Sequence, residues 1–292
     1  MTNDMVSVIT VTYNSAKTIK ECLDSVLASS LKAEILVVDN NSQDKTREII
    51  KRYGKRVSLT ESKKNLGFAK ACNLSGLKAR GNYLFILNPD AQIIGDSLAK
   101  LLKFVQNNPE VGIVAPQLIK GTNQIQPSIR KLPTLMGAVK EYYLRQSGSY
   151  EQYVPQSTAP VEVEAVYGAA MLIKKEVFQS LKGFNERYFL YYEDLDLCRR
   201  VKKAGFKIIY CPEAKVRHEI GASVKSIFFK HLPFGMRTLA NFFVFKGMGS
   251  GYYQIRSGNI YHGFVQALII RLLIYIAVKM RLYRGEAKIH EV

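Results

Sequence analysis

The first half of the chain alternates short apolar runs with segments of helical periodicity. Val6–Thr12 is a β-branched, apolar run typical of a buried strand, and residues 35–38 form a second such run. Between the two runs, apolar residues recur at helical spacing: Ile19, Cys22, Leu23, Val26 and Leu27. A second helix is expected over 44–53, where Gly54 ends it. Strands and helices that alternate in this way predict an α/β domain with parallel strands and right-handed crossovers.

The alternation continues to about residue 211. Further helices are expected over 67–81, 97–105, 175–181 and 194–204, and further strands over 83–87, 112–115, 161–173 and 206–211. The segment 116–160 contains Pro, Gln and Ser residues without periodicity, which predicts an irregular excursion over one face of the sheet. After about residue 220 the chain becomes basic and aromatic. We therefore expect a globular domain over 1–225 and an extension over 226–292.

Composition and charge narrow the class of partner. The 292 residues are 47% hydrophobic and 23% charged, which excludes wholesale disorder. The net charge is +18, so a polyanion is expected as partner, whether nucleic acid, anionic membrane or a phosphorylated ligand. Residues 202–292 carry +11, from 15 Lys and Arg against 4 Asp and Glu, whereas residues 1–201 carry only +7. The basic excess therefore belongs mostly to the C-terminal part.

Cysteine spacing and the N-terminal residues predict a reduced, cytoplasmic setting. The four cysteines, at 22, 72, 198 and 211, form no C-x-x-C pair, so neither a zinc knuckle nor a disulfide scaffold is indicated. The apolar run from Val6 follows Asp4 and is too short for a signal peptide. We expect it to be a strand of the fold.

Polar clusters follow three of the predicted strands: 12–14, Asp39 and 88–90. In an open α/β sheet, ligands bind outside the carboxyl ends of the strands. A carboxylate after the second strand can accept hydrogen bonds from a ribose or from the N–H of a base. A nicotinamide-dependent dehydrogenase would need G-x-G-x-x-G after the first strand, and residues 12–17 contain no glycine. A Walker A loop is also missing, so both classes are disfavoured.

A divalent cation is the usual alternative for neutralising a diphosphate. Asp90, after a turn-making proline, is suited to bind Mg²⁺ or Mn²⁺ as a hard oxygen ligand, and His218 can add a nitrogen ligand from a distant part of the chain. Each residue also has a structural interpretation. Asp90 can form an ordinary turn after proline, and His218 can be a buried, hydrogen-bonded histidine.

Residues 183–200 combine aromatic side chains with two adjacent carboxylates, Glu193 and Asp194, at the predicted start of a helix. A partly buried carboxylate beside a sugar hydroxyl is a competent general base, because burial raises its pKa. The alternative is that both residues only cap the helix dipole. Asp196 and Arg200 are expected to form an i,i+4 ion pair. The surrounding aromatic residues favour a site.

Together these segments resemble the family 2 glycosyltransferases of the GT-A fold, and within them the bacterial rhamnosyltransferase-like branch. The resemblance covers residues 5 to about 222 and implies a mixed, mostly parallel sheet flanked by helices. The motifs stand in order at 8–14, 37–42, 65–69 with Asn73, 87–90, 167–171, 183–200, Gly205, and His218 followed by Gly221 and Ser223. Six ordered motifs are a more specific signal than any one of them.

The resemblance implies a role for each matching position. It implies contacts with the donor for Thr12, Tyr13, Asn14, Asp39, Asn65, Asn73, Asn88 and Asp90, with Asp39 holding the base. Asp90 and His218 would bind Mg²⁺ or Mn²⁺, and Asp194 would deprotonate the acceptor. Gly168 and Glu193 would lie on the acceptor side. The implied reaction inverts the anomeric centre in one displacement.

The chain departs from the family pattern at two positions. Asn88 stands where many members have an acid, but Asn-Pro-Asp is usual in the rhamnosyltransferase-like branch. Asn185 stands where relatives often have Asp, in a position that organises the loop. The expected donor is dTDP-L-rhamnose, with a UDP-hexose as the alternative. The alternative outside enzymes is a non-catalytic, polyanion-binding module that has kept the same fold.

The C-terminal extension interleaves phenylalanines with cations over 226–246. Residues 264–280 are apolar but too few to span a membrane easily, and Arg271 lies near their middle. We expect a helix in the interface of the inner face of the cell membrane, near a polyprenyl-diphosphate-linked saccharide acceptor. A helix packed on the domain or on a second subunit is the alternative, and the oligomeric state stays open. Nucleic acid is disfavoured because no recognition module is visible.

Overall fold

The computed structural model describes residues 5–219 except for 122, 133, 135, 138, 139, 141–143, 145, 147, 149–151 and 189–191. The chain divides into two compact units, one formed by Met1–Ile129 with Val154–His231 and the other by Arg130–Tyr153 with Leu232–Val292. The site residues discussed below belong to the first unit. The extension predicted over 226–292 lies outside the described residues, so the boundary after residue 225 stays a prediction.

Strands and helices alternate through the first unit. The strands are β1 Val6–Thr12, β2 Ala33–Asp39, β3 Ser58–Glu61, β4 Tyr83–Leu87, β5 Ala91–Ile93, β6 Val111–Lys120, β7 Gln124–Ile125, β8 Ile129–Arg130, β9 Val161–Glu162, β10 Ala165–Val166, β11 Ala170–Lys174 and β12 Lys207–His218. The helices are α1 Ile19–Leu27, α2 Thr46–Lys51, α3 Phe68–Lys78, α4 Ser97–Asn107, α5 Lys175–Ser180 and α6 Glu193–Lys203, with a 3₁₀ turn at Gly54–Arg56.

The main sheet is mixed and mostly parallel, as the resemblance implied. Its strand order is β3-β2-β1-β4-β11-β6-β12-β5. Strands β3, β2, β1 and β4 are parallel neighbours, and β12 is parallel to β6. Strand β11 runs antiparallel to both β4 and β6, and β5 runs antiparallel to β12. The carboxyl ends of β1, β2 and β4 therefore meet at one edge, where polar residues follow each strand.

Local sequence patterns account for the core. Every residue of β1 is buried between neighbouring strands and flanking helices, which explains its continuous apolar run. Helix α1 buries Ile19, Cys22, Leu23 and Val26. Leu27 was expected on the same face, but it is the last residue of the helix and is 37% exposed. Helices α4 and α6 bury their apolar faces in the same way.

Several predicted boundaries were wrong where tertiary pairing decides them. The single strand expected over 161–173 is three short strands, because the chain changes partner within it: the N–H of Val163 bonds to β12, and that of Tyr167 to the carbonyl of Ser128. The segment 116–160 is not irregular throughout, since β6 continues to Lys120 and β7 pairs with it. Strand β12 was expected to end at 211 but runs to His218.

Candidate active site

Asp39, at the end of β2, joins the first two strand-end loops. Its side chain is completely buried. Its Oδ1 accepts hydrogen bonds from Thr12 Oγ1 at 2.9 Å and Ser42 Oγ at 2.5 Å, and its Oδ2 accepts one from the Ser42 N–H at 2.9 Å. Arg47 Nε lies 3.8 Å from the same carboxylate. Asp39 therefore holds the shape of the two loops, and its contact with a base stays a prediction.

Asn14 continues this link between the loops. It has a left-handed backbone with φ of +50°, which asparagine tolerates better than most residues. Its Oδ1 accepts a hydrogen bond from the Gln43 N–H at 2.8 Å, and its own N–H donates to Ser42 Oγ at 2.9 Å. The neighbouring Tyr13 is half-buried. The residues predicted to line the nucleotide pocket therefore form one hydrogen-bonded rim at the edge of the sheet.

Asn65 shapes the turn that leads into α3. Its Oδ1 accepts a hydrogen bond from the Gly67 N–H at 2.9 Å. The carboxamide of Asn40 holds the same turn, since it accepts from the Leu66 N–H at 3.3 Å and donates to the Gly67 carbonyl at 3.2 Å. The turn is thus fixed to the end of β2. The half-buried Asn65 lies beside the nucleotide-side rim, and its contact with the donor stays a prediction.

Asn73 lies on α3 and bonds to a loop far along the chain. Its Oδ1 accepts from the Phe184 N–H at 2.8 Å, and its Nδ2 donates to the Phe184 carbonyl at 2.9 Å and to Glu186 Oε1 at 3.1 Å. Both ends of the carboxamide are therefore engaged by the loop that precedes α6. The resemblance implied a place on the donor side, whereas these contacts connect Asn73 with the segment leading to Asp194.

The structure brings Asp90 and His218 together. Strand β5 begins directly after Asp90 and pairs antiparallel with the end of β12, so that Ala91 stands opposite His218. Asp90 Oδ1 and His218 Nε2 are 3.4 Å apart, and both side chains are nearly fully buried. The half-buried Asn88 precedes them and donates its backbone N–H to the carbonyl of Ala169. Two side chains from distant parts of the chain thus lie next to each other, as they must if both are to bind one metal ion.

Gln126 orients the His218 ring. Its Oε1 lies 3.1 Å from His218 Nδ1. In the tautomer that carries its proton on Nδ1, the ring donates this proton to the amide oxygen and turns the Nε2 lone pair toward Asp90. Asp90 Oδ1 is buried and accepts no hydrogen bond within the part of the chain that the structure describes. Two electron-rich atoms that face each other in a buried place are suited to share a cation.

The donor set fits Mg²⁺ or Mn²⁺. Two ligands at right angles around such an ion, each at about 2.1 Å, stand about 3.0 Å apart, close to the observed Asp90–His218 separation. Among the described residues, no group of three or more His, Cys, Asp and Glu converges. A magnesium site commonly takes one or two protein ligands and completes its shell with phosphate oxygens and water.

Asp194 is held in place at the start of α6. Its Oδ2 accepts a hydrogen bond from the Gly168 N–H at 2.9 Å, and its Oδ1 accepts one from the Leu195 N–H at 2.8 Å. A Cβ on residue 168 would stand 3.3 Å from the Asp194 Cβ, so glycine allows the close approach. The preceding Tyr167 packs edge-on against His218, with ring centroids 5.9 Å apart. The Asp194 carboxylate and the Asp90–His218 pair therefore both lie beside the short segment 167–169.

Glu193 is buried beside Asp194 and has a different environment. It is 6% exposed, and its Oε2 has no hydrogen-bond partner among the described residues. Burial, and then the charge of Asp194, raise the pKa of Glu193 well above its usual value. Burial, and then the charge of Glu193, raise the pKa of the Cys72 thiol on α3 well above its usual value. Burial therefore favours the protonated form of Glu193.

The aromatic stretch before α6 is described only in part. Tyr188 is buried, and Tyr192 adopts a left-handed backbone just before the helix, while residues 189–191 lie outside the described residues. The ion pair predicted between Asp196 and Arg200 is confirmed, with Arg200 Nε 2.7 Å from Asp196 Oδ2. Asp196 therefore supports the helix and its neighbouring loop.

Sequence reasoning missed Gln126 as a member of the site, and it gave Tyr167 no role although this residue begins the motif at 167–171. Gln126 falls in the segment that was predicted to be irregular, and Tyr167 in a stretch predicted to be a strand. One signal was available for Gln126. A metal-binding histidine needs an acceptor for its second nitrogen, and such partners are commonly amides, carboxylates or carbonyls. The sequence contains no pattern that identifies which amide that is.

Comparison with known families supports the same chemistry. The profile of Glycosyl transferase family 2 matches residues 7–181, which is more than half of the chain. A second profile, described as N-terminal domain of galactosyltransferase, matches residues 150–221. The second match covers the loop before α6, helix α6 itself and strand β12.

Individual proteins resemble the chain at modest identity. An N-acetylglucosaminyl-diphospho-decaprenol L-rhamnosyltransferase of Mycobacterium tuberculosis is 29% identical over 233 residues, covering 74% of this chain and 76% of its own. Rhamnosyltransferase WbbL of Escherichia coli is 23% identical over 266 residues, covering 88% and 100% respectively. A Pyrobaculum calidifontis mannosyltransferase, solved with GDP-Man and Mn²⁺, superposes with a TM-score of 0.59 at 19% identity, covering 97% of this chain and 75% of that one. At that identity the superposition establishes the fold.

Proposed function

The chain belongs to glycosyl transferase family 2, with the GT-A fold and glycosyltransferase activity, and on that basis we propose that it transfers a sugar with inversion from a nucleotide-diphosphate donor to a saccharide hydroxyl. The observation that carries the proposal is the 3.4 Å approach of Asp90 and His218 beside the segment that holds Asp194. Sugar transfer needs a group that stabilises the charge of the leaving diphosphate and a base for the attacking hydroxyl, close together in one cleft.

Asp194 acts as the general base in this proposal. The acceptor oxygen bonds to the anomeric carbon as the bond from that carbon to the diphosphate breaks, and the hydroxyl proton passes to the Asp194 carboxylate. The Gly168 N–H fixes one carboxylate oxygen at 2.9 Å, which limits the orientations that the base can adopt. Asp90 and His218 would hold Mg²⁺ or Mn²⁺, and the positive charge of that ion would stabilise the departing diphosphate.

The favoured donor is dTDP-L-rhamnose, and the favoured acceptor is a polyprenyl-diphosphate-linked saccharide used in cell-surface polysaccharide synthesis. The support comes from the names of the two rhamnosyltransferase relatives, one of which is named for a decaprenol-linked substrate. A screen of dTDP-L-rhamnose, UDP-glucose, UDP-galactose and UDP-N-acetylglucosamine, with and without chelator, tests this choice by release of nucleoside diphosphate. Preference for a UDP-hexose would reject the donor and keep the reaction class.

Peripheral membrane association is the proposed location. Within the described residues, no helix combines the length and apolar character needed to cross a bilayer. The cations and phenylalanines of 226–292 are suited to an anionic lipid surface, where the acceptor would lie. Sedimentation with anionic and zwitterionic liposomes tests this. A chain lacking 226–292 that still pelleted with anionic liposomes would contradict the role of the extension.

Replacement of Asp194 tests the mechanism. Asp194→Asn keeps the size of the side chain but removes the proton acceptor, so transfer is expected to fall by about 10²- to 10⁴-fold while nucleotide affinity is retained. Asp96→Asn is the matched control, because Asp96 is an exposed partner of Lys100 at i,i+4. Unchanged turnover in Asp194→Asn would remove Asp194 from the role of base.

A further inference from the structure

The loop over residues 181–188 leads into the helix that carries Asp194, and α3 holds it from one side. Asn73 makes three hydrogen bonds to it, two with the backbone of Phe184 and one with the side chain of Glu186. Lys70, one turn earlier on α3, lies 3.8 Å from the other oxygen of Glu186. A carboxamide that bonds with both its oxygen and its nitrogen to the backbone of one residue fixes the position and the direction of that backbone.

The loop fits closely around the Asn73 side chain. Gly183 has φ of +70°, and a Cβ added there would stand 2.3 Å from Asn73 Oδ1. The Phe184 ring packs edge-on between two others, with centroid distances of 5.8 Å to Phe68 and 5.6 Å to Phe178. The position of the loop is therefore set by shape as well as by hydrogen bonds.

Helix α6 holds the same loop through Arg200. Arg200 Nη1 donates to the carbonyls of Leu181 and Gly183, each at 2.9 Å. Its Nε is paired with Asp196, which is 1% exposed. The ion pair and the two hydrogen bonds to carbonyls together fix the orientation of the guanidinium. Through the loop, Asn73 and Arg200 connect α3 with the helix whose first turn contains Asp194.

We propose that Asn73 and Arg200 are positioning residues for the acceptor half of the reaction, which set where the loop 181–188 and Asp194 meet the incoming hydroxyl. This inference rests on the proposed function and moves Asn73 from the donor side to the acceptor side. A small displacement of a catalytic group is enough to slow a reaction about 100-fold, because the reacting atoms must be aligned. Loss of either contact therefore reduces transfer without weakening the binding of nucleotide.

The test replaces the Asn73 donor by a repelling oxygen. In Asn73→Asp the new carboxylate oxygen faces the Phe184 carbonyl and Glu186, so the loop is pushed away. Leu77→Asp is the matched control, since it adds the same residue to the same helix at a position that is 78% exposed. Three quantities are measured for wild type and both variants: the Kd for dTDP and UDP, the KM and kcat for a short-chain N-acetylglucosaminyl-diphospholipid, and hydrolysis of the donor without acceptor.

The expected result for Asn73→Asp is a fall of about 10- to 100-fold in kcat/KM for the acceptor, with the Kd for the nucleotides within about twofold of wild type. Adding Glu186→Gln removes part of the repulsion and is expected to restore part of the loss. A variant that loses nucleotide affinity and keeps its acceptor KM would return Asn73 to the donor side. Kinetics equal to those of Leu77→Asp would also overturn the inference.

Arg200→Lys keeps the inference testable if Asn73→Asp does not fold. Lysine retains the charge beside Asp196 but cannot reach both carbonyls with the geometry of a guanidinium, so the same selective loss for the acceptor is expected. Unchanged acceptor kinetics in this variant would overturn the inference. A wild-type protein that transfers no sugar to any acceptor would instead contradict the proposed function, so the two failures are distinguishable.

Discussion

Gly183 provides a direct test of how tightly the loop before α6 is held. Gly183→Ala places a methyl group 2.3 Å from Asn73 Oδ1 and 3.0 Å from its Cγ, so the Asn73 side chain must withdraw. Withdrawal removes its two hydrogen bonds to Phe184, each with a net contribution of about 0.5 to 1.5 kcal/mol, and leaves polar groups unpaired. The left-handed backbone costs alanine about 1 to 2 kcal/mol more. The free energy of unfolding is expected to fall by about 3 to 5 kcal/mol.

Gly54→Ala is the matched control for this substitution. Gly54 also has a left-handed backbone, with φ of +56°, but a Cβ added there meets nothing within 4 Å. Its replacement should cost only the backbone contribution of about 1 to 2 kcal/mol. Unfolding in urea is best followed by circular dichroism, because the protein contains no tryptophan. If Gly183→Ala were no more destabilising than Gly54→Ala, the steric argument would be refuted.

A double-mutant cycle with Asn73→Ala separates the clash from other effects. Asn73→Ala removes the two nearest atoms that the new methyl group would meet and leaves Phe178 Cζ at 3.1 Å. In that background Gly183→Ala should therefore cost only slightly more than the Gly54 control. The coupling energy between the two positions is then expected to be about 1 to 3 kcal/mol. Additive effects would mean that Asn73 and Gly183 do not act on each other.

Three further outcomes follow from the described contacts. Gln126→Leu removes the acceptor of His218 Nδ1, so the Mn²⁺ concentration that gives half-maximal activity should rise about 10- to 100-fold. Gln126→Glu keeps an acceptor and should change this concentration much less. Equal Mn²⁺ concentrations for Gln126→Leu and wild type would contradict the role of Gln126. Burial raises the pKa of Glu193, so the folded chain keeps a proton that the unfolded chain loses above pH 4.5, and stability falls as pH rises. Urea unfolding of Glu193→Gln from pH 5 to 8 should show a smaller fall than wild type, and equal slopes would argue against a buried neutral acid. Burial raises the pKa of Cys22 and Cys198 to about 12, so both thiols should resist iodoacetamide in the native protein and react in guanidinium, as mass spectrometry of the peptides would detect.

The sequence by itself determined the elements whose cause is local. The period of the apolar residues identified β1, α1 and α4, because burial of one face acts within a single strand or helix. It also identified the polar residues after β1, β2 and β4, since parallel strands deliver such residues to one edge of the sheet. The Asp196–Arg200 pair was predictable for the same reason, because one helical turn brings the two side chains together.

Tertiary structure decided what depends on register between distant strands. Asp90 and His218 approach to 3.4 Å because β12 continues past Pro212, where its register with β6 shifts. In addition, β5 must pair with the last residues of β12. No periodic pattern in the sequence predicts either feature. The resemblance implied a donor-side role for Asn73, which stays a prediction, and only the packing of α3 against the loop before α6 shows that its carboxamide bonds to Phe184. A single side chain carries no record of a partner more than one hundred residues away. Its partner is set by how whole strands and helices pack to bury their apolar faces.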